Sequence, residues 1–196
     1  SIIPPSFAVA SQQEVYDHYC AVAAHVDTPI VLYNIPARTG NKLLPETVCR
    51  LAKDVEVIKG AKDSSGDWEN LKAYIQLTKD LDFSVLSGND SLILPALKEG
   101  GVGGIAGCSN VYPKVLSSIY ELFQEGKLDE AQAAQDSIAS FRAVFKYGNP
   151  NTVVKTAVAM LGYNVGKCRA PFNQLPQEGL EALEKVLQEN KDKGMC

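Results

Sequence analysis

The stretch Pro29-Ile30-Val31-Leu32-Tyr33-Asn34-Ile35-Pro36-Ala37-Arg38-Thr39-Gly40 decides the fold. Its opening five residues are short and almost wholly apolar, the pattern of a strand buried on both faces of a parallel sheet. Downstream, the same unit recurs. Pro45 can open a helix through Leu51, Val55 to Lys62 can form a second strand, and Asp67 can cap a helix carrying Leu71, Tyr74, Ile75 and Thr78. Phe83 to Ser87 reads as a third strand, Asp90 to Glu99 as a helix, Val102 to Ala106 as a glycine-rich last strand, and Pro113 opens a helix to Gln124. Upstream, Ser11-Gln12-Gln13-Glu14 has capping-box spacing and leads into a helix bearing Val15, Tyr19, Val22 and Ala23. Ser1 to Pro5, apolar and then proline, looks like the tail of a strand already in progress.

Strand and helix thus alternate at roughly 20 to 30 residues without a return to antiparallel patterning, which predicts right-handed βα units and a parallel sheet, as barrel or doubly wound. The rest changes character. Leu128, Ala131, Ile138, Phe141 and Phe145 form one apolar stripe, Val154, Ala157, Val158 and Leu161 a second, and Leu180, Leu183 and Leu187 a third. The expected organisation is therefore a βα part over 1–125 and a helical C-terminal extension over 126–196.

With 196 residues, 45% of them hydrophobic, the chain can bury a sizeable core, and a net charge of -4 offers no field for nucleic acid or an acidic membrane. A small-molecule partner fits better. The five cysteines, Cys20, Cys49, Cys108, Cys168 and Cys196, are odd in number and contain no C-x-x-C pair, so they read as reduced thiols, not a zinc or disulfide framework. No basic leader is present at the N-terminus, and no apolar run approaches the roughly 18 residues a membrane helix needs. The expected location is cytoplasmic.

In parallel α/β folds reactive groups collect at the C-terminal ends of strands. Those ends carry Tyr33 and, just beyond it, Arg38; then Lys62; then Gly88-Asn89-Asp90. An ammonium at the end of an apolar strand is costly to desolvate, and the neutral amine that burial favours is a nucleophile. Condensed with the carbonyl of a 2-oxo acid, it gives an iminium that makes the neighbouring C–C bond breakable or formable. A phenol beside the imine can shuttle protons, a role open to Tyr33. Arg38 could hold a second carboxylate through its bidentate fork. Lys59 competes with Lys62, but strand parity sends the two to opposite faces, and Gly60 leaves room beside Lys62.

From Ser1 to about Leu183 the chain resembles the dihydrodipicolinate synthase and N-acetylneuraminate lyase family of (β/α)8 TIM barrels. Leu32 to Gly40 looks like that family's tyrosine motif on barrel strand 5, and Gly60-Ala61-Lys62-Asp63-Ser64-Ser65-Gly66-Asp67 like its Schiff-base lysine motif on strand 6. Leu86 to Asp90 and Gly103 to Val111 resemble the ends of strands 7 and 8. By this resemblance the chain covers about strands 4 to 8, Lys62 forms the imine with pyruvate, Tyr33 relays protons, and Gly88 and Ile105 line the pocket. The resemblance also implies a class I lyase needing no cofactor and no metal, acting on a 2-oxo acid and an aldehyde as a homo-oligomer, dimer or tetramer.

Two departures shape the expectation. The family's early strands and carboxylate-binding loop are absent, and the strands read here are too few to close a barrel of about 250 residues. Synthases also carry paired tyrosines after strand 4, whose second hydroxyl reaches a neighbouring subunit; here the stretch reads Pro5-Ser6-Phe7. Arg38 matches the synthases, where an arginine holds the aldehyde's carboxylate, whereas Gly103 to Gly107 and Cys168-Arg169-Ala170-Pro171 look more like 4-hydroxy-2-oxoglutarate and related 2-keto acid aldolases. Aldol cleavage or condensation of that type is therefore the favoured activity. A synthase of lysine biosynthesis is the first alternative and a non-catalytic 2-oxo acid binder the second.

Other features read more plainly. His18 and His25, placed on one helix, are ~10.5 Å apart along its axis and read as surface residues. Gly100 to Gly104 lacks the lysine and serine of a phosphate loop. Asp67 reads as a helix cap, and Asp63 is expected to point away from Lys62.

Overall fold

The computed structural model describes residues 1–172 and 174–195, so Cys196 lies outside the described residues. Two compact units are present, Ser1–Ile105 and Ala106–Cys196. In the first, the order is α1 (Gln12–Ala23), β1 (Ile30–Asn34), α2 (Pro36–Thr39), α3 (Pro45–Asp54), β2 (Ile58–Asp63), α4 (Trp68–Thr78), β3 (Ser84–Ser87), α5 (Ile93–Lys98) and β4 (Gly103–Gly104). The four strands form one sheet in the order β1-β2-β3-β4, and every pair is parallel. A doubly wound sheet reverses its strand order at a switch point. Here each strand neighbours the next, as around a barrel wall. Ile2 adds the trace of a preceding strand: it bridges in parallel to Leu32, with its N–H on Val31 O at 2.9 Å and its carbonyl receiving Tyr33 N–H at 2.8 Å.

Local chemistry explains the helix starts. Ser11 accepts from Glu14 N–H while the Glu14 carboxylate takes Ser11 N–H at 2.7 Å, completing the capping box, and Asp67 Oδ1 accepts Asn70 N–H at 3.2 Å to start α4. Ile30 and Leu32 of β1 and Ala61 of β2 face a core built with Val15, Tyr19, Val48, Leu51, Leu71 and Tyr74. Burying one such leucine contributes roughly 1.5–3 kcal/mol. The alternate positions, Tyr33 and Lys62, are only half buried and occupy the other face.

Three elements differ from the sequence expectation. Helix α3 runs to Asp54 and Val55 caps it, so the second strand starts at Ile58 instead of Val55. The helix expected over Asp90 to Glu99 is a 3-10 turn at Asp90–Leu92 followed by α5. The last strand shrinks to Gly103–Gly104, where Gly103 adopts φ +151 and a side chain on Gly104 would strike Ile93.

The second unit holds α6 (Pro113–Gln124), α7 (Leu128–Ser137), α8 (Ala139–Arg142), α9 (Pro150–Met160) and α10 (Gln177–Asp192). Its centre is aromatic: Phe141 packs edge-on to Tyr112 at 5.3 Å and to Phe145 at 5.6 Å, and Asn190 donates to Tyr112 OH at 2.9 Å. The stripe expected from Leu128 to Phe145 is not one helix; α7 ends at Ser137 and the chain continues as α8 and a 3-10 turn, with Leu128 exposed and Ala131, Ile138 and Phe141 buried. In α9 the buried face is Thr152, Val153 and Ala157, one residue off the expected start at Val154. Leu183 and Leu187 are buried as expected, and Leu180 is intermediate. Helix α6, assigned to the βα part in the sequence reading, groups here with the helices that follow it.

Candidate active site

Tyr33 and Lys62 are direct partners in the β1–β2 register, so their side chains leave the same face of the sheet side by side. Lys62 Nζ lies 4.1 Å from the centroid of the Tyr33 ring. Lys59, three residues earlier, goes elsewhere: its Nζ pairs with Asp82 Oδ2 at 2.7 Å. Strand parity thus separates the two lysines, and Lys62 is the one that meets a phenol.

Gly88 follows β3 directly beside them. A methyl placed on its Cα would collide with Ser64 Oγ and approach Lys62 Cε to 2.9 Å, so only glycine leaves room for the lysine stem. Ser64, two residues after Lys62, directs its hydroxyl at Tyr33 OH with a separation of 3.4 Å, a long contact. No role was read for Ser64 in the sequence; the signal was its i+2 spacing from Lys62, which keeps both on one face. Ile105 continues from β4 with its N–H on Ser87 O at 2.8 Å and is 48% exposed. Arg38 sits in α2, a single turn ended by Gly40 at φ +79; it is exposed and forms no ion pair among the described residues. Lys62, Tyr33 and Gly88 therefore converge, while Arg38 and Ile105 lie at the same strand ends without touching that group in any contact the structure records.

The remaining candidates are placed as follows. Asp67 caps α4, and Asp63 is buried on the side of β2 opposite Lys62. His18 lies half buried against Tyr19, and His25 falls past the end of α1 with a ring nitrogen 2.8 Å from Ala21 O, so the two do not share one helix. Cys20, Cys49, Cys108 and Cys168 form no disulfide among the described residues. Among the described residues no cluster of His, Cys, Asp and Glu could hold a metal, and no helix is long and apolar enough to cross a membrane. A cavity of about 920 Å³ lies within the second unit, lined by Lys114, Val158, Tyr163, Glu184 and neighbours, and contains none of the five site residues.

The model of the dihydrodipicolinate synthetase family matches residues 1–190. The chain belongs to that family. A 4-hydroxy-tetrahydrodipicolinate synthase from Methanoculleus marisnigri is 39% identical over 187 residues, which cover 95% of this chain and 63% of that protein. The crystal structure of the dihydrodipicolinate synthase from Thermotoga maritima superposes with a TM-score of 0.91 at 29% identity, covering 96% of this chain and 65% of that one. The Acinetobacter baumannii dihydrodipicolinate synthase, crystallised in complex with pyruvate, gives 0.88 at 29% identity over 99% of this chain and 65% of that one. The chain thus spans less than two thirds of the length of the curated relatives it matches. The parallel strands in sequential order are those of the TIM-barrel wall that the dihydrodipicolinate synthetase family shares, and the lysine and tyrosine motifs fall on its adjacent strands.

Proposed function

We infer that the natural protein carrying this sequence is a lysine Schiff-base synthase that condenses pyruvate with an aldehyde bearing its own carboxylate, in the manner of 4-hydroxy-tetrahydrodipicolinate synthases. The aldolase preference drawn from the sequence gives way to its first alternative, because the curated relatives carry the synthase name. The observation that carries the chemistry is the placement of Lys62 Nζ over the Tyr33 ring. In this reading the Lys62 amine adds to C2 of pyruvate, and the carbinolamine loses water to leave an iminium. Loss of a proton from C3 gives an enamine, whose carbon attacks the aldehyde carbonyl; the aldehyde oxygen takes a proton, the iminium re-forms, and water hydrolyses its C–N bond to release the 2-oxo acid product and return the free amine. Tyr33, with Ser64 beside its hydroxyl, handles the protons of these steps. Gly88 and Ile105 border the bound 2-oxo acid, Arg38 pairs with the carboxylate of the aldehyde, and the protein works as a homo-oligomer. None of these steps calls on a metal or cofactor.

Incubating the natural protein with pyruvate and borohydride tests this reading. One reduced three-carbon adduct on Lys62 is expected; an adduct on Lys59, or none, overturns it. The aldolase reading retains one supporting observation. Phe7 is fully exposed, sits at φ +81 and lacks the hydroxyl that synthases place there. If aldol cleavage is the native reaction, 4-hydroxy-2-oxoglutarate is cleaved faster than pyruvate condenses with aspartate semialdehyde, and Phe7→Tyr brings no gain in condensation.

A further inference from the structure

We propose that Asp63 is a positioning residue, which holds the strand ends bearing Tyr33, Lys62 and Gly88 at their working separations; the proposal rests on the Schiff-base reading above. Asp63 is 1% exposed and forms no ion pair among the described residues, yet it is a carboxylate one residue from the proposed nucleophile. Burying an anion without a cation is unfavourable unless several donors meet it. Three do. Asn34 Nδ2 donates to Oδ1 at 3.1 Å, Ser65 N–H to Oδ1 at 2.7 Å, and Asn70 Nδ2 to Oδ2 at 2.8 Å.

Each donor belongs to a different piece of backbone: the end of β1, the turn after β2, and the first turn of α4. Asn34 extends the network by accepting Leu43 N–H at 3.0 Å through its side chain and Ser64 N–H at 2.9 Å through its carbonyl. The carbonyl of Asp63 in turn receives Gly88 N–H at 2.7 Å. Asn34 and Asp63 are register partners, as are Tyr33 and Lys62 one step earlier. A slip between β1 and β2 that misaligned the phenol and the amine would therefore break the bonds around Asp63.

An apolar side chain would satisfy a packing role more cheaply, and a buried charge is weak evidence for stability. What a carboxylate adds is direction. It accepts from all three donors at once, which neither leucine nor a single amide does, and so admits one register of β1, β2 and α4. That matters because reacting groups displaced by about 1 Å lose on the order of 10²-fold in rate.

Asp63→Asn sets an amide N–H₂ against the Asn70 N–H₂, donor against donor. The double variant Asp63→Asn/Asn70→Asp restores the three pairings at position 63: the amide oxygen introduced there still accepts from Asn34 and Ser65, while its N–H₂ donates to the carboxylate introduced at position 70. In the natural protein, Asp63→Asn is expected to lower kcat by about 10- to 100-fold with the KM for pyruvate within about 3-fold, and the swap to bring kcat back to within about 3-fold. Both are read well below each variant's Tm. A purely structural role predicts the opposite split, a lower Tm with kcat within about 2-fold. That result, or a swap that restores Tm without kcat, overturns the proposal. Where Asp63→Asn does not fold, Asn70→Ala replaces it: the same fall in kcat supports the proposal, and a lower Tm with kcat within about 2-fold overturns it. The unmodified protein is the control: absence of a borohydride-trapped adduct on its Lys62 defeats the Schiff-base reading itself, whereas a normal adduct with an indifferent Asp63→Asn defeats only the positioning role.

Discussion

Lys62 and Tyr33 are register partners on adjacent parallel strands, and the lysine nitrogen lies 4.1 Å from the centre of the phenol ring. In the proposed chemistry this geometry sets a nucleophile beside a proton carrier, and the residues around the pair can be tested one at a time.

Lys62→Ala is expected to abolish turnover and the pyruvate adduct while lowering Tm only slightly, because it removes a covalent route and, besides that, only half-buried contacts with Tyr33 and Gly88. Tyr33→Phe keeps the ring and loses the hydroxyl, so kcat should fall by about 10²- to 10⁴-fold with adduct formation slowed, not lost. Adduct mapping by mass spectrometry and steady-state kinetics check both. A Tyr33→Phe enzyme with unaltered kcat removes the phenol from the mechanism.

Gly88→Ala puts a methyl where Ser64 Oγ and Lys62 Cε already are. Overpacking of this kind costs about 1–3 kcal/mol, and here both the Ser64 hydroxyl, the nearer atom, and the flexible lysine stem have to shift. Turnover is expected to drop much further than thermal stability does. Melting and activity measured on the same sample decide it, and equal, small effects on both would mean that the strand end relaxes away from Lys62.

Arg38→Ala is expected to raise KM for a carboxylate-bearing aldehyde by about 10-fold or more while KM for pyruvate changes little, since a bidentate pair is worth roughly 1.5–3 kcal/mol. Initial-rate kinetics with each substrate varied in turn check this. If both constants rise alike, Arg38 is not assigned to the aldehyde.

Asp67 accepts a hydrogen bond from Lys42 Nζ at 2.9 Å and then one from Asn70 N–H, and these hold its carboxyl below the ordinary carboxylate range. A depressed folded value contributes stability above the unfolded value, and that contribution is lost as pH falls through the folded one. Asp67→Ala is therefore expected to cost about 1 kcal/mol at pH 7, mostly as a helix cap because the pair is partly exposed, and less near pH 3. Urea melts at the two pH values measure it; a cost that grows on acidification contradicts the assignment.

Much of the site was legible in the sequence because strands impose strict parity. Lys59 and Lys62 are an odd number apart, so one had to leave the face the other occupies, and the structure sends Lys59 to Asp82 and Lys62 to Tyr33. Capping chemistry was equally local: Ser11 with Glu14, and Asp67 with Asn70, make their bonds within three residues. Ser64 and Gly88 show where this reasoning stops. Residue spacing puts Ser64 on the face of Lys62, but its approach to the Tyr33 hydroxyl, 31 residues away in sequence, depends on how β1 and β2 align.

Run lengths, cap residues and alternating burial lie within a few residues of one another, so the sequence by itself determined the βα alternation, the parallel sheet and the strand ends that carry Tyr33 and Lys62. It did not determine that α3 would outlast Leu51 and delay β2 to Ile58, nor that the stripe from Leu128 would break at Ser137. Those outcomes turn on what each segment packs against, where tertiary contacts outweigh propensities that differ by less than about 1 kcal/mol per residue. The network at Asp63 belongs to the same class. Asn34, Ser65 and Asn70 are unremarkable polar residues along the chain, and only the register of two strands and the docking of α4 turn them into three donors around one buried carboxylate.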